Sequence, residues 1–319
     1  MNLDNKWELL KSEEVQSGLH TLRFEAKSPL DVFLAVDTLG LHSILIYLPP
    51  SYSPKLKNVE NDNIQLLYIE ESNYLQIKLL DPEFISLFDD LITSLNLSIQ
   101  HIYEASEACD EFIKTYIKWN KLFKNTPQKK LSNEKIIGLW GELQYLIELI
   151  KTREPYMSVE KILECWVGPF NASHDFELPN QSLEIKTKIY SSSSVKMSSE
   201  YQLEKTEGKS LRLGVVSIIE SEVGYSLLDL FLSIKELIFK NHADIAIFLT
   251  ALEREGLTEE KLKNFSSLKF LKKKIEIFDC DPDNFPKIIS SVIPEAISAV
   301  KYSLDINALS TFKIFQEDY

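Results

Sequence analysis

The sequence has too few cysteines, too widely spaced, for cysteine chemistry to organise it. Cys109, Cys165 and Cys280 are odd in number and outside any C-x-x-C spacing, which excludes a disulfide framework and a cysteine zinc site and leads to the expectation of a reducing cytoplasm. No apolar run approaches the roughly 20 residues that span a bilayer. The opening MNLDNKWELL has no basic region followed by an apolar one, so neither a membrane span nor a secretory signal is expected. Positive charge is short as well: 35 lysines and arginines stand against 48 acidic residues, a net charge of −13. That is the wrong sign for a protein that coats nucleic acid without specificity. Lysines do gather locally, at Lys121, Lys124, Lys129, Lys130 and Lys135, at Lys186, Lys188 and Lys196, and at Lys269, Lys272, Lys273 and Lys274, but charge blocks of this kind usually face water. There is no internal repeat, no aromatic-rich stacking surface, and no low-complexity tract beyond the serines at 191–194.

What is present is apolar material, 44% of 319 residues, enough for two domains. The first third carries five runs rich in β-branched and aromatic residues, HTLRFEA, DVFLAVDT, HSILIYL, IQLLYIE and YLQIKLL, which read as strands, the last two as a hairpin. Asp81-Pro82 reads as the N-cap and first position of a helix through FISLFDDLITSLN, and a second helix is expected from about Ile99 to Phe123. The polar segment NTPQKKLSN (125–133) breaks the pattern. It divides the chain into a β-rich domain with helices at 1–125 and a second domain at 126–319.

In the second domain Ile136, Leu139, Trp140, Leu143, Ile147 and Ile150 recur at helical spacing, with Glu142 on the flank of that stripe. A hairpin in HDFELPNQSLEIKTK, a buried strand in LRLGVVSIIES, a helix entered through a Ser226/Asp229 capping box and a strand in KKKIEIFDC follow. The sum is an α/β core on a mixed sheet. The tail at 284–319 carries no readable motif, and the lysines at 269–274 read as a solvated helix end leading into a strand.

The hairpin concentrates charge. Alternation along a strand puts Glu184 and Lys186 on one face and Leu183, Ile185 and Ile189 on the other. With PNQS as a four-residue loop, Glu177 pairs with Glu184 and Asp175 with Lys186, which leaves Asp175 diagonally within reach of Glu184. Two carboxylates ~4 Å apart repel by roughly 4 kcal/mol at an effective dielectric near 20. A hard divalent cation removes that penalty, and magnesium suits Asp175, Glu184 and the carbonyl of Ile185. Gln202 stands three residues after Ser199, a spacing at which it could serve only the backbone. Glu177 reads as solvent-facing and His174 as a satisfied loop histidine.

Asp175 followed by Glu184-Ile185-Lys186, after a helix bearing Glu142, resembles the PD-(D/E)xK nuclease superfamily. The wider run, GLWGELQYLIEL, WVGPFNASHDFEL, LEIKTK and MSSEYQL, is similar to a bacterial family of that superfamily found beside methyltransferase, helicase and ATPase genes in restriction-type loci. His174 stands where the pattern has proline. The resemblance implies a restriction-endonuclease-like core in which Asp175 and Glu184 hold the metal and Glu142 adds a helix carboxylate. It also implies that Lys186 orients water and steadies phosphate charge, and that Gln202 is the polar residue after the Glu-x-Lys strand. The expected function is a Mg2+-dependent endodeoxyribonuclease, with Mn2+ substituting, acting in restriction or phage defence. Helicase or ATPase and methyltransferase partners are expected, and a homodimer if both strands are cut. The alternative is a non-catalytic DNA-binding or assembly subunit that keeps the fold.

Overall fold

β-Branched and aromatic runs in the first third pair into one antiparallel sheet. The computed structural model describes residues 3–12, 18–24, 29–54, 59–124, 131–153 and 156–319, and the chain forms two compact units, Met1–Thr126 and Pro127–Tyr319. In the first, helix α1 (Leu3–Lys11) precedes strands β1 (Leu19–Arg23), β2 (Asp31–Asp37), β3 (His42–Tyr47), β4 (Val59–Glu60), β5 (Ile64–Ile69) and β6 (Tyr74–Leu79). Helices α2 (Ile85–Ile99) and α3 (Ala105–Trp119) follow. The strands lie in the order β1-β2-β3-β6-β5-β4, and β5 and β6 form a hairpin. Its turn closes with Asn73 in the left-handed region at φ 50°, which asparagine tolerates because its side chain bonds locally. Ile44, Ile46, Ile64 and Ile77 of the sheet and Phe88, Leu91, Leu95, Tyr116 and Trp119 of the helices are fully buried.

Three sequence expectations change here. Asp81 does cap, accepting the Glu83 N–H, but Pro82–Phe84 is a single 3-10 turn and the α-helix begins at Ile85. The helix expected from Ile99 starts instead at Ala105, because α2 runs to Ile99 and the chain turns before the extended N-cap Glu104. Helix α1 was not expected; it buries Trp7 and Leu10, and Trp7 Nε1 donates to Asp89 Oδ1 at 2.8 Å. The first six residues of NTPQKKLSN lie outside the described residues.

The second unit runs α4 (Asn133–Arg153), α5 (Val159–Glu164), β7 (Phe176–Leu178), β8 (Gln181–Ile189), β9 (Ser194–Met197), β10 (Ser210–Tyr225), α6 (Leu227–Lys240), α7 (Ile245–Arg254) and α8 (Glu259–Lys263). It ends with β11 (Phe270–Asp279), β12 (Tyr302–Asp305) and β13 (Lys313–Asp318). The main sheet has the order β13-β11-β10-β8-β7, with β8 and β10 parallel and the other pairs antiparallel. It is a mixed α/β sheet. The six apolar residues of the α4 stripe are all buried, and α4 comes so close to β8 that a Cβ on Gly141 would fall 1.9 Å from Thr187 Oγ1. The Ser226/Asp229 capping box opens α6.

Thr187 and Glu184 differ by an odd number along β8, so α4 covers one face while Glu184 and Lys186 lie on the other. On that second face Leu211, Leu213 and Val215 of β10, in register with Ser182, Glu184 and Lys186, join an apolar cluster with Val195, Met197, Phe278, Leu304 and Leu309. The tail without a readable motif supplies much of this layer: β12 pairs with β9, and β13 extends the sheet beside β11. The lysines at 269–274 are not a helix end. Strand β11 starts at Phe270, with Lys272 on Glu148 at 2.7 Å and Lys274 on Glu276 at 2.9 Å.

Candidate active site

The hairpin turn sets the geometry, and it is tighter than the sequence suggests. Leu178 pairs with Gln181, Glu177 with Ser182 and Phe176 with Leu183, so the loop is Pro179-Asn180 and not PNQS. Two-residue connections match the twist of antiparallel strands, and Ser182 lies in β8 between Glu177 and Leu211, its hydroxyl donating to Glu177 Oε2 at 3.0 Å. One residue further along this register, Asp175 comes opposite Glu184 instead of Lys186.

Each candidate residue is then placed by its element. The Asp175 Oδ2 accepts the Ile185 backbone N–H at 2.7 Å, so Ile185 enters the site as the amide that fixes this carboxylate. Lys186 Nζ lies 2.7 Å from Glu184 Oε1, a buried ion pair. Lys186 also donates to Gln202 Oε1 at 3.1 Å, and the same oxygen accepts the Ser198 N–H at 2.7 Å. Gln202 is therefore no capping-box partner; Ser199 makes no side-chain cap bond. Glu142 reaches across from α4, where its Oε2 accepts from Trp166 Nε1 at 2.9 Å. A Cβ on Gly168 would lie 3.0 Å from Asp175 Oδ1 and 3.4 Å from Glu142 Oε2. The two oxygens thus line one small space, no farther apart than those distances together.

Burial and mutual repulsion dominate the electrostatics. Burial, then Asp175, pushes Glu142 up to about 8, against the Trp166 hydrogen bond and the Lys135 charge. Burial raises Asp175 despite Lys186, the Ile185 N–H and Lys135. Glu184, 1% exposed, is held well above the usual carboxylate range by burial, then by Asp175 and in smaller part by Glu142, with Lys186 opposing. The three carboxylates act on one another and offer only oxygen donors, the donor type a hard divalent cation takes. Among the described residues no group of three such side chains is placed to hold a metal ion; the Lys186 ammonium supplies the nearest positive charge to Glu184.

Glu177 is not solvent-facing: it takes Lys209 at 2.6 Å and His174 Nδ1 at 2.9 Å. His174 Nε2 meets the Glu204 carbonyl at 2.9 Å, so both ring nitrogens are occupied and the histidine pins the entry to β7. Sequence reasoning missed Trp166 and Gly168, which lie in the run WVGPF with no periodicity to mark them. It also left Lys135 as one of several lysines, although Lys135 and Glu142, seven apart on α4, share a helix face.

A mixed sheet carrying an acidic residue at one strand start and Glu-x-Lys on the next, flanked by a helix, is the α/β core of a PD-(D/E)XK-type protein. The chain matches over residues 3–307 the family model described as "Putative PD-(D/E)XK family member (DUF4420)", and it belongs to that family. No curated protein and no solved structure matches it. Among the described residues, no helix is long and apolar enough to cross a membrane.

Proposed function

We propose that the protein is a metal-dependent endodeoxyribonuclease acting in restriction or phage defence in the cytoplasm, with Mg2+ as the cofactor and Mn2+ able to replace it. The observation that carries this reading is the convergence of Asp175, Glu184 and Glu142 in one electrostatic field beside a lysine directed by Gln202. When bound, a divalent cation supplies Lewis-acid charge to the phosphate and lowers the pKa of water. Asp175, fixed by the Ile185 amide, and Glu184 are the residues that would hold it, with Glu142 as a further carboxylate and the Ile185 carbonyl as a backbone ligand. Lys186, steered by Gln202, orients the attacking water and offsets the negative charge that grows on the phosphate in the transition state.

The net charge of −13 favours delivery of DNA by partners such as a helicase or ATPase, alongside a methyltransferase, with unit Met1–Thr126 as the docking module and a homodimer where both strands are cut. A second reading, a non-catalytic DNA-binding or assembly subunit, draws on the Lys186–Glu184 ion pair and on the absence of a closed three-ligand group among the described residues. A supercoiled-plasmid assay separates the two. Nicking or linearisation in magnesium or manganese that EDTA stops supports the nuclease. An intact plasmid under every condition, with a neighbouring ATPase added, supports the assembly subunit.

A further inference from the structure

Along β10 the apolar cluster on the Glu184 face ends at Val215, and the next residue on that face is Ser217. Ser217 is in register with Lys188 on β8 and with Lys274 on β11, so a hydroxyl stands in one row between two lysines. The Ser217 side chain is fully buried, and its Oγ has no hydrogen-bond partner among the described residues. A buried hydroxyl left in this way costs stability unless something outside the chain completes it.

The charges of the row are not balanced from within. Lys188 Nζ donates to the carbonyls of Ser192 at 2.6 Å and Tyr190 at 3.4 Å, and no carboxylate among the described residues pairs with it. Lys274 and Lys313 share a single carboxylate, Glu276, at 2.9 and 3.0 Å. Asp318, opposite Lys274 at the edge of the sheet, takes Gln316 Nε2 at 2.8 Å instead. Three lysines thus meet one paired carboxylate, in a chain whose net charge is −13. Burial and then the Lys274 charge pull Lys188 below the ordinary lysine range, with Glu276 opposing. The Lys188 ammonium is therefore fixed by loop carbonyls in a place where another ammonium repels it, and an anion between the two removes that penalty.

Position and donor type name the anion. Lys188 stands two residues beyond Lys186 on the same face of β8, roughly 6.6 Å along the strand. Two ammoniums and a hydroxyl offer several donors at once, which suits an oxyanion with several acceptor oxygens on one centre. Both lysines are half-buried and within reach of solvent. We infer that Lys188, Ser217 and Lys274 form a second phosphate site, which holds the phosphate next to the one that is cut on the same DNA strand. This rests on the nuclease reading and adds to it a site that shares none of its carboxylates.

The test is anisotropy of a labelled duplex oligonucleotide across a salt series, with calcium present to hold off cleavage, beside thermal melting with and without inorganic phosphate. Ser217→Ala removes a hydroxyl that the fold does not use, so it is expected to melt at or above the parent temperature and yet bind DNA about tenfold more weakly. Lys188→Ala is expected to reduce the slope of log affinity against log salt by about one, and Lys188→Arg to restore it. Parental DNA affinity in Ser217→Ala, a lowered melting temperature for it, or an unchanged salt slope in Lys188→Ala each overturns the inference, while a DNA-cutting parent leaves the nuclease reading standing. Stabilisation by inorganic phosphate that Lys188→Ala loses, with its DNA affinity and salt slope still parental, marks a site for free phosphate and overturns the assignment to a strand. A parent that binds no DNA at any salt overturns both.

Discussion

Replacing Glu142 by glutamine should make the metal-free protein more stable in alkali. The folded pKa of Glu142, pushed up to about 8 by burial and by Asp175, lies above the ordinary 4.5. A group raised in this way contributes stability that is full below its unfolded pKa and is lost as pH rises through its folded pKa. At ~1.4 kcal/mol per unit, the displacement sets a ceiling of roughly 5 kcal/mol on the ionisation penalty, and redistribution of charge among Asp175 and Glu184 lowers what is realised. Glutamine keeps an acceptor for Trp166 Nε1 and does not ionise. Urea unfolding in EDTA should therefore show Glu142→Gln gaining on the parent by at least about 1 kcal/mol between about pH 5 and about pH 8. Added manganese should raise the parent's midpoint at the higher pH more than the variant's. The same stability difference at both pH values would refute the claim that the fold penalises ionisation of this carboxylate.

Two further outcomes follow from the same contacts. Gly141→Ala puts a Cβ 1.9 Å from Thr187 Oγ1, on the strand that carries Glu184 and Lys186, and should destabilise the second unit by about 1–3 kcal/mol in urea unfolding; a neutral effect would mean α4 is free to shift. Trp166→Phe removes the hydrogen bond that lowers the Glu142 pKa, so the rise of manganese affinity with pH should move to higher pH, and calorimetric titrations across that range would show no such move if the indole does not tune the carboxylate.

Local pattern carried part of this structure and long-range pairing carried the rest. Period-two alternation is enough to put Glu184 and Lys186 on one face of β8, and 3.6-residue periodicity to find the buried stripe of α4. Gln181 and Ser182 look like turn residues, which shifts the expected hairpin register; Ser182 is a strand residue because it pairs with Glu177 on one side and Leu211 on the other, and Glu177 also accepts its hydroxyl. The tail was unreadable because its strands find partners far back in the chain, β12 on β9 and β13 on β11. Trp166 donates to a carboxylate 24 residues away, a relation that no spacing rule encodes. Gly168 mattered only once Asp175 and Glu142 were seen to border the same space.

The central claim is that the carboxylates hold a divalent cation while Lys186 serves the water and the phosphate. Calorimetric manganese titration run beside plasmid cleavage, on Asp175→Ala and Lys186→Ala, tests it most directly. Asp175→Ala is predicted to lose both metal binding and cleavage, because a hard cation left with few anionic ligands binds weakly. Lys186→Ala is predicted to bind manganese like the parent and to cut at least about 100-fold more slowly. Parental manganese affinity in Asp175→Ala, or parental cleavage by Lys186→Ala, would contradict the account.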